Sequence, residues 1–181
     1  MDEPIHLPTP DARSLDLYLA GPPDGTPLVF HAGTPSSGVP FQPFVESLAE
    51  RGLRYVSWSR PGYGSSTRQP GRDVVDVVAD TAAVLDHLEA ERCYVLGWSG
   101  GGPHAMACAA NLADRVNAVA TIGGVAPWPA EGLDWMAGMG EENIVEFNAA
   151  LGGPDALSAL HRARMADLSR CDRARDGECA R

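Results

Sequence analysis

Gly97-Trp98-Ser99-Gly100-Gly101 reads G-x-S-x-G, the spacing that holds a serine on a sharp turn between a strand and a helix. A serine held there projects its hydroxyl where it can attack an acyl carbonyl. Its backbone is strained, and side chains in place of the flanking glycines would meet neighbouring main chain. The attack creates an oxyanion that needs preorganised N–H donors. The N–H of Gly100, just after the serine and at the start of a helix, is one such donor. A serine nucleophile also needs a histidine and a carboxylate. The alternative reading at this point is a plain turn serine.

The chain has five histidines. His104 follows the elbow on the next helix, which fits a structural or pocket-lining role. His87 sits on a helix as a solvated residue, and His6 lies in an N-terminal stretch read as irregular. Among the carboxylates, Asp134 and Asp155 read as residues that open helices, with capping as their role. The four cysteines, Cys93, Cys108, Cys171 and Cys179, show no C-x-x-C spacing, which argues against zinc or thioredoxin-like chemistry. Cys93 and Cys108 stand in apolar surroundings as small core residues.

The elements that must position the serine alternate along the chain. Strands are expected at 15–19, 28–30, 53–58, 93–96 and 116–122, and helices at 43–51, 73–89 and 103–112. Pro43 suits a first helical turn and Gly52 a helix end. Val74, Val77, Val78, Leu85 and Leu88 make one apolar stripe. Strand–helix alternation implies an α/β fold, a mostly parallel sheet with helices on both faces. After Pro127 the sequence changes to Trp128, Trp135, Met136, Met139 and Phe147 with helical stretches at 141–151 and 154–161. It changes again after His161: residues 162–181 hold six of the 14 basic residues, all arginine, and two of the four cysteines.

Composition narrows the function. With 181 residues, 44% hydrophobic and 21% charged, the chain fits an ordinary globular domain with a real core. A net charge of −10 argues against nucleic-acid partners and anionic membrane surfaces. No apolar run approaches the roughly 20 residues of a membrane span. Met1-Asp2-Glu3-Pro4 lacks the basic and apolar regions of a signal peptide, so the expected location is cytoplasmic.

Three motifs stand on three strand ends. Leu28–Phe30 runs into His31-Ala32-Gly33-Thr34-Pro35, Trp58 into Arg60-Pro61-Gly62-Tyr63-Gly64-Ser65, and Leu96 into Gly97-Trp98-Ser99-Gly100-Gly101-Gly102-Pro103-His104. Together they resemble the α/β-hydrolase fold family, near its esterase and epoxide-hydrolase-like branch with a helical cap, over roughly residues 12–160. The resemblance implies Ser99 as nucleophile and the backbone N–H of Thr34 as the second oxyanion donor beside Gly100. It implies no metal and no organic cofactor, and a small-molecule ester or amide substrate. There are departures. Ala32 takes the position of a histidine usual before the oxyanion glycine, with His31 one place earlier. Ser59 stands where relatives often carry Asp, as a variation in loop hydrogen bonding.

The family places its acid and its histidine after later strands, and no such pattern follows Ile122. His161, at the end of a cap-like helix, is the remaining candidate for general base; the acid is unassigned. The expected organisation is a partial hydrolase core at 1–126, a helical cap segment at 127–161, and an atypical, disordered or frame-shifted tail at 162–181. The expected function is an α/β-hydrolase-type serine hydrolase, C-terminally truncated and impaired. The alternatives are a non-catalytic binding or interaction module that keeps a hydrolase-like pocket, and a short active esterase using His161 or a second chain.

Overall fold

The computed structural model describes residues 3–179, with side chains described for residues 3–166. The terminal residues and the side chains of Leu168, Cys171 and Cys179 lie outside that description. The chain divides into two compact units, residues 1–127 and 128–181.

The first unit is built on a six-stranded sheet. In chain order its elements are β1 (Ile5–Pro8), β2 (Ser14–Ala20), β3 (Thr26–His31), α1 (Gln42–Ala49), β4 (Leu53–Trp58), α2 (Val77–His87), β5 (Cys93–Trp98), α3 (Gly102–Asn111) and β6 (Val116–Ile122). The strand order is β1-β2-β4-β3-β5-β6. Pairing is antiparallel from β1 through β2 to β4 and parallel across β4, β3, β5 and β6. This is the expected mostly parallel sheet, with one strand more than the sequence reading: residues 5–8, taken as irregular, pair with β2 as β1.

Two rows of register explain the two faces. Val56, Val29, Val95 and Val119 line up across β4, β3, β5 and β6. The first three are buried in one cluster with Val84 and Leu85 of α2 and Ala105 and Cys108 of α3. Branched side chains in one row pack tightly on a pleated surface. One residue back, Tyr55 and Leu28 point to the other face and meet Val45 and Leu48 of α1. The period of two thus sorts each strand's residues between α1 on one side and α2 and α3 on the other.

The helices begin and end where local chemistry requires. Pro43 sits in the first turn of α1, and Gly52, at φ +67°, closes the turn after it. The expected helix over 73–89 is divided: a single 3₁₀ turn at Val74–Asp76 precedes α2. Val74 is therefore exposed, and the buried stripe is Val77, Thr81, Val84 and Leu85. Thr81 fits the helix interior because its hydroxyl donates to the carbonyl of Val77 at 2.8 Å.

The second unit holds α4 (Glu141–Leu151) and α5 (Pro154–Cys179). Trp135 stacks edge-on against Trp128 and Phe147, with centroids 5.2 and 4.6 Å away. Asp155 lies in the first turn of α5, as expected of a residue opening a helix. Asp134 instead opens a turn, its carbonyl accepting from the Ala137 N–H. The helix expected to stop at residue 161 continues to Cys179, a run of arginines and small residues that are good helix formers without an apolar stripe.

One buried ion pair ties the N-terminal strands to α2. Arg13 Nη2 donates to Asp80 at 2.6 Å and its Nε to the exposed Asp11 at 2.7 Å. Burial nevertheless pushes the Asp80 carboxyl above its usual range, so its charge depends on Arg13. Arg13→Ala is expected to cost about 3 kcal/mol in urea unfolding, because it strands a buried carboxylate. Asp11→Ala is expected to cost under about 1 kcal/mol.

Candidate active site

The first crossover, β3 to β4, runs one way across the sheet, and the chain then reverses to β5 on the other side of β3. Ligands of open α/β sheets bind beyond the strand ends at such a reversal. The loops after β3, β4 and β5 all open there, and they are the three motif-bearing loops.

After β5 the backbone turns sharply. Ser99 stands at φ +50°, a left-handed conformation that a residue with a Cβ adopts only under constraint. Two glycines supply that constraint. A Cβ on Gly101 would collide with the carbonyl of His31, and one on Gly97 would lie 2.5 Å from the Gly101 oxygen and 2.8 Å from the Ala105 Cβ. The main chain of the elbow therefore packs directly on the end of β3. The Ser99 side chain is half-buried, and within the first unit no hydrogen bond to its Oγ forms among the described residues.

The β3 loop comes close to the elbow. Gly33 packs against Ser99, with 3.3 Å between the Ser99 Cβ and the point a Gly33 Cβ would occupy. At Gly100 the corresponding point lies 3.2 Å from the backbone nitrogen of Thr34. Ser99, Gly100, Gly33 and Thr34, the residues singled out in the sequence, are thus brought together. His161 belongs to the second unit. There its Nε2 stands 3.6 Å from Glu146, too far for a hydrogen bond, while Glu146 accepts from Arg164 at 2.6 Å.

Arg60, which the sequence reading quoted without a role, holds the loop in place. It is buried at the end of β4 and donates to the carbonyls of Ala32 at 2.5 Å and Gly33 at 3.2 Å. Its Nη2 also donates to the Thr34 hydroxyl at 3.4 Å, while the Thr34 N–H, itself a donor, takes no bond from Arg60. Burial lowers the Arg60 pKa, and its guanidinium lies over the Tyr63 ring, 5.8 Å from the centroid. The loop carrying Arg60 is itself sewn to β2. Buried Asp16 accepts from the Ser65 N–H at 2.6 Å and pairs with His6 at 3.0 Å. Ser66 Oγ accepts from the Asp16 N–H and donates to the Ser59 carbonyl. Ser59 has the loop-bonding role expected of it: its Oγ accepts from the Gly38 N–H at 3.3 Å. The usable signal for Arg60 is a charged residue two places after a buried strand and directly before Pro-Gly.

The two buried histidines serve the frame. His31 lies edge-on to Trp58, with its Nε2 3.6 Å from Cys108 Sγ. Burial, with His104 and Arg60 nearby, lowers its pKa to about 3. His104 bonds through Nδ1 to the Gly100 carbonyl at 3.0 Å, and burial with Arg60 nearby lowers it to about 4. Cys93 and Cys108 are buried core residues as expected, with burial raising both thiols to about 11. His87 is exposed. Among the described residues no cluster of three or more His, Cys, Asp or Glu side chains could hold a metal ion. Among them too, no helix is long and apolar enough to cross a membrane.

The family profile for the alpha/beta hydrolase fold matches residues 26–149, more than half the chain. The chain belongs to the alpha/beta hydrolase fold family. Curated members similar to it include an uncharacterized hydrolase, YcgS, of Bacillus subtilis, 31% identical over 65% of this chain and 40% of that protein. Epoxide hydrolase B of Mycobacterium tuberculosis is 31% identical over 74% of this chain and 39% of that protein. Among solved structures, the hypothetical protein PA1622 of Pseudomonas aeruginosa matches with a TM-score of 0.62 at 30% identity, covering 73% of this chain and 46% of that one. This hydrolase-fold chain spans about two fifths of the length of the two curated relatives.

The histidines set an expectation for pH. Both are neutral in the folded state, while in the unfolded chain they protonate near 6.5. Their contribution is complete above pH 6.5 and is lost as pH falls toward 4, because the unfolded chain takes up the protons. Urea unfolding is expected to show a loss of about 2 kcal/mol between pH 7 and 5.5, roughly halved in His31→Gln. A flat profile contradicts this.

Proposed function

We propose that this chain is the nucleophile-bearing part of a serine hydrolase for carboxylic esters or amides, and that turnover by the chain as it stands is impaired. The observation that carries the reading is the left-handed Ser99 at the β5–α3 elbow, with the backbone N–H groups of Gly100 and Thr34 beside it. Ser99 Oγ attacks the acyl carbon as its proton passes to water in the absence of a side-chain base, the carbonyl electrons move to oxygen, and the two N–H groups hold that oxyanion. Collapse expels the alcohol or amine, which takes up a proton from water, and leaves acyl-Ser99; water then adds to the acyl carbon, releasing the acid and restoring the Ser99 hydroxyl.

The name of one relative, an epoxide hydrolase, raises another substrate class. Serine chemistry argues against it here: a serine oxygen opening an epoxide forms an ether that water does not release. An acyl-serine ester is hydrolysable, so the nucleophile type favours acyl substrates.

The reading of impairment is supported within the first unit, where no described histidine or carboxylate is hydrogen-bonded to Ser99 Oγ. Loss of the triad histidine lowers kcat by roughly 10⁶. The same observation supports the second reading, a module that binds acyl ligands without turnover. His161 remains the candidate base, with Glu146 as its nearest carboxylate.

A fluorophosphonate probe separates these readings. Slow labelling confined to Ser99 and abolished in Ser99→Ala is expected, with ester turnover indistinguishable between the two proteins. Turnover that requires Ser99 contradicts the impairment. If labelling slows at least tenfold in His161→Gln, that residue is the base; an unchanged rate removes it. Labelling that survives in Ser99→Ala overturns the proposal.

A further inference from the structure

The sheet of the first unit ends in two edge strands, β1 and β6, that differ in kind. β1 is four residues long, ends at Pro8 and carries His6, which pairs with Asp16. Shortness and proline are devices that keep an edge from pairing with another chain. β6 has neither. It runs for seven residues, and no charge or proline interrupts residues 116–126.

The register shows which main-chain groups of that edge are unused. The Cys93 N–H donates to the Arg115 carbonyl. By the period of two, Val95 and Gly97 also turn their main chain toward β6. Val95 stands beside Val119 and Gly97 beside Thr121. In a parallel ladder such residues bond to the neighbours of the residue opposite, here Ala118, Ala120 and Ile122. The main chain of Val119 and Thr121 therefore faces out of the sheet and takes no partner within the first unit. The chain leaving β6 does not fold back along this edge. Gly123 bends it at φ +55°, and Gly124 packs on α3, with its Cα 2.7 Å from the point a Gly102 Cβ would occupy.

The unused groups are complementary to themselves. They flank Ala120 symmetrically. A two-fold axis through Ala120, normal to the sheet, sets Val119 of one copy opposite Thr121 of the other, and the reverse. Opposed residues of that kind exchange both N–H and carbonyl bonds, so every outward group of Val119 and Thr121 is satisfied. The side chains match as well. Ile122, 59% exposed, meets the small Ala118 of the other copy, the branched Val119 and Thr121 pair, and no like charges are opposed. An axis through Val119 would instead set Thr121 against Asn117, which lies at the register shift of β6 and is held by Arg92.

We propose that two copies of this chain join through β6, antiparallel about Ala120, so that the sheet of one continues into the sheet of the other. The same surface serves both copies, and the guarded β1 edges remain outside, so assembly closes at the dimer. This inference is independent of the chemistry of Ser99.

Sedimentation of the full chain is expected to show a reversible monomer–dimer equilibrium without larger species. Thr121→Pro removes an outward N–H and leaves the β5 ladder intact, so dimer affinity is expected to fall about tenfold or more. Register is read by cross-linking. Cα atoms opposed at the axis lie about 4.5 Å apart, within disulfide reach. The thiol introduced by Ala120→Cys is therefore expected to join two copies under mild oxidation, mapped by peptide mass spectrometry. The thiol introduced by Ala118→Cys lies roughly 14 Å from its counterpart and is expected not to. Both positions are exposed and both side chains small, so the cross-links decide the question even where Thr121→Pro unfolds. A monomer at every concentration up to about 1 mM overturns the proposal. Dimer affinity unchanged in a folded Thr121→Pro variant, or equal cross-linking at both positions, also overturns it. So does slow hydrogen exchange at the Val119 and Thr121 amides of a monomer, which would show the edge covered by its own chain.

Discussion

Main chain packed against main chain at the end of β3 is the constraint on which the candidate site depends. The carbonyl of His31 occupies the space a side chain on Gly101 would need, and the Gly101 oxygen crowds Gly97 in the same way. Contact this close between backbones leaves the elbow no freedom to relax, so Ser99 is held at φ +50°. It also fixes the distance between two loops that are far apart in sequence. Thr34 meets Gly100 because β3 and β5 are neighbours in the sheet, with Leu28 beside Tyr94 and Phe30 beside Leu96. The strand order, the glycines and the strained serine are therefore one arrangement viewed at three scales.

A second layer of interactions keeps that arrangement from drifting. Arg60 binds two successive carbonyls of the β3 loop, and its own loop is anchored on Asp16 of β2. A buried guanidinium whose partners are two carbonyls, a hydroxyl and an aromatic face, with no carboxylate among them, is costly to desolvate, and its lowered pKa records that cost. Beneath it, His31 and His104 stay neutral, which avoids adding positive charge around the elbow. Positive charge beside the elbow is thereby left to Arg60, while the acids of the chain dominate its overall balance.

The parts legible in the sequence were those set by local chemistry. Glycine spacing around Ser99, Pro43 and Gly52 at the limits of α1, and the short apolar runs of β3, β4 and β5 each leave a signature within a few residues. Long-range partnerships were not legible. Arg60 finds Ala32 and Gly33 more than 25 residues away, and Asp16 finds Ser65 at a separation of 49. No local pattern encodes such pairings. The strand β1 escaped notice because four residues ending in proline are too few for a period, and its pairing with β2 supplies the stability. The continuation of α5 past His161 escaped for another reason: a helix without an apolar stripe has no periodicity to detect. Asp134 carries the same residue type as Asp155, yet one opens a turn and the other a helix, because Pro154 sets the helical start only for the second.

The central claim is that the Gly100 and Thr34 N–H groups face the place where charge develops on a Ser99 adduct. The most direct measurement is the amide proton shift of these two residues when Ser99 is phosphonylated, since the phosphonyl oxygen occupies the oxyanion position. Both resonances are predicted to move downfield together, as charge-assisted hydrogen bonds form. Unmoved resonances in a fully formed Ser99 adduct would contradict the account.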